Sequence, residues 1–94
     1  MERQQSLDLL NDTHDFPCVF TVKVVGVHEG NFVERIVERV RVACQLDEPP
    51  DHSVRNTPSG RHVSVTLEPL LDRAEDVLLL YERIAEVKGV VMTL

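Results

Sequence analysis

Any chemistry in this chain would have to come from one short loop, four histidines and two cysteines. The loop Gly26-Val27-His28-Glu29-Gly30-Asn31-Phe32 sets two glycines, an imidazole and an amide close together. Glycines let backbone N–H groups approach a bound molecule, and a helix starting at Asn31 would favour a carboxylate or phosphate at its N-terminus. Gly26, His28, Gly30 and Asn31 are therefore the candidate ligand-binding residues. Glu29 and Glu34 oppose an anion there, and the plainer reading is a tight strand-to-helix turn with Asn31 as its cap. A phosphate cradle of the acylphosphatase kind would need an arginine in the loop to clamp the anion. His28 and Glu29 occupy those positions instead, and Arg35 lies a turn inside the helix.

His14, His28, His52 and His62 are separated by 14, 24 and 10 positions, which with Cys18 and Cys44 match no zinc template. No base stands beside either cysteine in sequence to raise a nucleophile. We expect no metal, no cofactor and no catalytic set, and hence a chain that is not an enzyme.

Placing these residues requires the elements around them. The chain has 94 residues, enough for one core, and it is 43% hydrophobic and 28% charged, an ordinary globular balance. Its net charge of -6 opposes nucleic-acid binding, which depends on neutralising phosphates. The start carries Glu2, Arg3, Asp8, Asp12 and Asp15 among its apolar residues, and no run reads as a signal peptide or a membrane span. The lack of such a run points to no membrane partner, and two cysteines without a C-x-x-C point to a reducing, cytoplasmic setting.

Residues 1–15 read as a polar N-terminal arm, with Leu7, Leu9 and Leu10 forming one helical turn against the body. Residues 16–94 read as a single domain. Cys18 to Gly26 is rich in β-branched residues and predicts one strand, with Cys18, Phe20, Val22 and Val24 on one side. Phe32, Val33, Ile36, Val37, Val40, Ala43 and Cys44 form a helical stripe from about Asn31 to about Leu46, with Asn31 and Glu34 at capping-box spacing. Pro49 and Pro50 end it. That helix, roughly 24 Å long at ~1.5 Å per residue, can run back along the strand. Cys18 and Cys44 then lie at the same end of the domain, where two buried thiols are favoured over a disulfide.

Ser53 to Thr57 is a weak strand candidate, and Pro58-Ser59-Gly60 is turn chemistry leading into the alternating strand Arg61 to Glu68. Asp72 and Glu75 repeat the cap spacing before a stripe of Val77, Leu80, Tyr81, Ile84 and Ala85. Gly89 closes that helix, and Val90 to Leu94 is the last strand, burying Val90, Met92 and Leu94 or the opposite set. The order β-α-β-β-α-β predicts an α+β, ferredoxin-like split fold: a four-stranded antiparallel sheet in order 4-1-3-2 with both helices on one face.

Phe16 to Gly26 (FPCVFTVKVVG), Ser59-Gly60 leading into His62 to Thr66 (HVSVT), and Val77 to Leu94 with its VLLLYERI and VVMTL segments resemble the YbeD-like family of small bacterial proteins. The resemblance covers residues 7 to 94. It implies a likeness to the ACT regulatory domains of amino-acid enzymes, with their ferredoxin-like topology, and brings no established catalytic residues. In ACT-like domains the first strand-helix loop helps bind small ligands, which here would be Gly26, His28, Gly30 and Asn31. The chain departs from the family in its longer, more acidic arm and in His62-Val63, where an aromatic residue usually follows the turn.

The other sheet face has no helix to cover it. Alternation assigns it Val19, Thr21, Lys23 and Val25, then His62, Ser64 and Thr66, with Val91 and Thr93. RNA-recognition domains use this face with stacking aromatics, but Phe16, Phe20, Phe32 and Tyr81 all fall elsewhere. A Val/Thr face around Lys23 suits a protein partner or a second copy, and Val19, Thr21, Lys23, Val25, His62, Ser64 and Thr66 are the candidate interface. The expectation is a non-enzymatic regulatory or protein-interaction module that self-associates as a homodimer through a sheet edge or this face. The alternative is a sensor of a small, amino-acid-like metabolite at the first strand-helix loop.

Overall fold

The computed structural model describes residues 2–94. Its elements are α1 (Arg3–Thr13), β1 (Cys18–Val19), β2 (Val22–Val27), α2 (Phe32–Ala43), β3 (Asp51–Asn56), β4 (His62–Glu68), β5 (Leu70–Leu71), α3 (Ala74–Ala85) and β6 (Val90–Thr93). The fold is α+β, with three helices, a four-stranded antiparallel sheet in order β3-β4-β2-β6 and a two-stranded ribbon of β1 and β5. Numbered among themselves, the four long strands read fourth, first, third and second from the β6 edge.

The strand predicted over Cys18 to Gly26 is interrupted, and Pro69 supplies the reason. Val22 faces Leu67 and Val19 faces Leu70, so one register runs through both sheets and sets Phe20 opposite Pro69. Proline has no N–H to give the ladder. Only the Phe20 N–H to Pro69 carbonyl bond, 2.9 Å, bridges the gap. Val19 and Thr21 therefore lie outside the four-stranded sheet, in the ribbon and in the gap, although both stay exposed.

The helix-facing side of the sheet is apolar. Val22, Val24, Val63, Val65 and Leu67 are buried there against Phe32, Ile36, Val37 and Val40 of α2 and Val77, Leu80 and Ile84 of α3. The stripe predicted on the first helix is the buried one, but the helix stops at Ala43, short of Leu46. Gln45 turns left-handed (φ 55°), its N–H donates to Val42, and Leu46 N–H donates back to Arg41. This is a Schellman closure with glutamine where glycine is usual.

Other local expectations also shift. Asn31 makes no side-chain cap bond; its Oδ1 accepts from Arg35 Nε at 3.1 Å. On α3 the capping acid is Asp76, whose Oδ2 accepts from the Arg73 N–H at 3.1 Å, one position beyond the Asp72/Glu75 spacing. Val25 pairs with Met92 and Gly26 with Val90, and the register slips between them. That bulge returns Val90 to the core while Met92 and Leu94 stay exposed, so neither alternating set of the last strand is buried as a whole. The arm is more than one turn: α1 has 11 residues and lies on α3, with Leu10 against the core.

Candidate functional site

The loop after β2 spends its residues on its own fold. Gly26 is buried, and a Cβ added there would lie 2.1 Å from Phe32 Cζ and 2.6 Å from both Cε atoms. Its bare Cα is thus a seat for the Phe32 ring, rather than an opening through which a ligand reaches backbone N–H groups. Gly89 (φ 99°) completes the seat, since a Cβ there would lie 2.8 Å from Val27 and 3.3 Å from the same ring. His28 N–H donates to the Arg61 carbonyl at 3.0 Å, and His28 Nδ1 is 3.1 Å from the Gly60 carbonyl. A carbonyl only accepts, so Nδ1 carries the proton in that contact. Gly30 has open space around it.

Arg35 is as fully engaged as Asn31. Besides meeting the Asn31 amide, it donates from Nη1 to the Lys88 carbonyl at 2.9 Å and stands 5.6 Å from the Phe32 centroid. One turn on, Arg39 reaches the Arg83 carbonyl and the Glu86 carboxylate. Two arginines of α2 thus close the C-terminal end of α3, where the helix dipole favours cations.

Cys18 and Cys44 are free and half-buried. Burial, with the Asp76 charge adding to it, pushes the Cys44 thiol up to about 11, so it is protonated near neutral pH and a poor nucleophile. Among the described residues, no group of three or more His, Cys, Asp or Glu side chains could hold a metal ion, and no helix is long and apolar enough to cross a membrane. His14 lies tilted against Phe16 and Phe20, and Phe20 meets Tyr81 edge-on, with ring centroids 5.8, 5.3 and 6.5 Å apart. These rings tie the end of α1 to α3, and burial raises the Tyr81 phenol above its ordinary range.

The open sheet face is the surface on which the other candidates meet. Register places Arg55, Ser64, Val25 and Met92 in one row across the four strands. Ser53, Thr66 and Lys23 form the next row, which Leu94 joins through two backbone bonds to Lys23. His62 lies opposite Val27 at one end, and Asp51 faces Glu68 at the other. Val91 and Thr93 do not belong to this face: the bulge gives their places to Met92 and Leu94, 49% and 60% exposed. Arg55 escapes a reading of the sequence because β3 is exposed at every position and offers no alternation to assign a face; its register opposite Ser64 supplies that face. Among the described residues Lys23 and Arg55 make no ion pair, whereas Arg39, Arg41 and Arg83 all do.

A family model described as "Protein of unknown function (DUF493)" matches residues 11–94. A UPF0250 protein of Haemophilus ducreyi is 33% identical over 85 residues, covering 90% of this chain and 86% of that protein. A UPF0250 protein of Pasteurella multocida is 32% identical over 85 residues, covering 90% and 94%. One of Sodalis glossinidius is 36% identical over 87 residues, covering 90% and 95%. The family match leaves out most of α1.

Proposed function

The chain belongs to the DUF493, YbeD-like family, and from that premise we propose that it is a regulatory, protein-interaction module of ferredoxin-like, ACT-like architecture that acts by binding rather than by catalysis. One observation carries this reading. The uncovered sheet face combines half-exposed aliphatic side chains, Met92 and Leu94, with two cations, Lys23 and Arg55, that have no ion-pair partner among the described residues. Buried apolar area gives such a surface affinity, and unpaired charge gives it selectivity. A protonated Cys44 agrees with a role outside nucleophilic chemistry, and two free cysteines suit a reducing cytoplasm.

A photo-reactive residue placed at Ser53, on the open face, or at Glu82, exposed on α3, tests the proposal in growing cells. The expected result is a discrete cross-linked species from Ser53 and none from Glu82. Equal capture at both positions, or none at Ser53, would overturn it.

A further inference from the structure

Hollows of opposite sign lie toward the two ends of the open face. One, of about 350 Å³, is lined by Lys23, Val25, Arg55, Thr57, Pro58 and Ser64, among others, and holds two cations and no acid. The other, of about 540 Å³, includes Val19, Asp47, Glu48, Asp51, Glu68 and Leu70, and holds acids and no cation. They share β3 and β4, and the acidic one extends onto the β1–β5 ribbon and the loop before β3. Asp51 and Arg55 are four positions apart on β3, and by register Glu68 and Ser64 are their neighbours on β4. Side chains four apart in a strand point to the same face, so each sign sits at its own end of one surface.

Such a surface is complementary to itself. Consider a second copy related by a two-fold axis lying between the two faces, running across the strands along the Ser53-Thr66-Lys23 row. The strands of the two copies then run antiparallel, and each position meets the one equally far beyond the axis. Arg55 falls opposite Asp51 of the second copy, and Ser64 falls opposite Glu68 of the second copy. Lys23 and Thr66, on the axis row, meet their own counterparts, and Glu68 of the second copy lies one row from each Lys23, so its charge offsets the repulsion between the two ammonium groups. Leu94, hydrogen-bonded to Lys23, meets its own counterpart. Each contact off the axis occurs twice and each on it once, as an isologous interface requires.

We propose that the open sheet face is the docking surface for a second copy of this chain, placed face to face with Arg55 paired to Asp51 across the two-fold axis. The proposal rests on the interaction-module reading and names its partner. Four strands at ~4.8 Å spacing and six residues at ~3.4 Å give roughly 400 Å² of sheet per copy. A standard interface buries about 800 Å² per partner. The dimer is therefore weak and reversible, and the charged pairs make it sensitive to salt.

Sedimentation equilibrium of the full chain tests this. The expected result is a reversible monomer–dimer equilibrium that shifts toward monomer between about 0.05 and about 0.5 M salt. Arg55→Asp and Asp51→Arg each weaken the dimer by at least about tenfold, and the combined exchange restores it, because both cross-axis pairs are re-formed with their signs swapped. Both positions are exposed, and circular dichroism checks that each variant stays folded. A parent chain that stays monomeric to about 1 mM, an Arg55→Asp variant that dimerises like the parent, or a combined exchange that recovers nothing would overturn the proposal. A monomer whose Ser53 position still cross-links to another protein removes the self-pairing and leaves the interaction-module reading standing. A monomer with no cross-link removes both.

Discussion

Gly26→Ala separates a glycine kept for a ligand from one kept for the core. Gly26 is not in the left-handed region, so alanine can take its backbone conformation. On chain entropy alone the change would stabilise the fold by roughly 0.5–1 kcal/mol. The sign is decided by the Phe32 ring, 1% exposed, whose Cζ would lie 2.1 Å from the new methyl. The ring has little room to retreat, because Gly89 lines the same seat and the Arg35 guanidinium stands 5.6 Å from its centroid. Overpacking of this kind costs roughly 1–3 kcal/mol, and a contact this short belongs at the upper end. The net loss is about 2 kcal/mol, and at ~4–8 °C per kcal/mol Tm falls by roughly 8–16 °C in a thermal melt. Phe32→Leu removes the clashing edge, so in a double-mutant cycle Gly26→Ala costs at least about 1 kcal/mol less when combined with Phe32→Leu than alone. A Gly26→Ala variant melting within about 2 °C of the parent, or a strictly additive cycle, would refute the packing argument.

Two further changes, a substitution and a modification, probe the C-terminal end of α2. Gln45→Gly relieves a left-handed residue that carries a Cβ, and a gain of roughly 0.5–1 kcal/mol, seen as a Tm rise of about 2–8 °C, is expected; an unchanged or lower Tm would count against it. Cys44, with its thiol pushed up to about 11, is about one part in a thousand thiolate at pH 8, so its alkylation by iodoacetamide is about a hundredfold or more slower than that of an ordinary thiol. Since the native thiol is the weaker acid, its contribution to stability is present at neutral pH and is lost as the pH rises from about 9 toward about 11. Mass-spectrometric labelling against pH measures the rate, and labelling at the speed of a free thiol at pH 8 would show that burial does not govern Cys44.

Whatever is periodic and local is legible in the sequence. The apolar stripe of α2, the alternation of β4 and the turn before it all rest on neighbours a few positions apart. The rest depends on partners far along the chain. The break at Phe20 is caused by Pro69, which is visible in the sequence but acts on residues far from it. The place of Met92 depends on a bulge opposite Gly26. The seat for Phe32 needs Gly26 and Gly89 together, and no local pattern joins them. Residues 1–15 read as a polar arm because Leu7, Leu9 and Leu10 are their one apolar patch; the helix over Arg3–Thr13 gains its support from α3 and from the rings around His14. Asn31 has the right residue type and position for a cap, and loses the role because Arg35 takes its side-chain oxygen.

The arginines between α2 and α3 and the cations of the open face are used differently. On the helical side Arg35, Arg39, Arg41 and Arg83 are all committed to carbonyls or carboxylates of the same chain. Those bonds hold α2 to α3 and close the helix ends, so these four arginines have little left to offer a partner. On the sheet side Lys23 and Arg55 stand over Ser64 without a carboxylate in their hollow, while Asp51 and Glu68 face each other at the other end. Like charges placed directly opposite destabilise a strand pair, so the Asp51–Glu68 pairing is a local cost that the fold bears. In a chain of net charge -6, the Asp51–Glu68 repulsion at one end and the unpaired Arg55 at the other are relieved together by one arrangement: an inverted copy of the same face. That relief grows as salt is lowered, whereas apolar contact alone would scarcely respond. The salt dependence of association is therefore the property that tells charge-directed pairing from simple adhesion of an uncovered sheet.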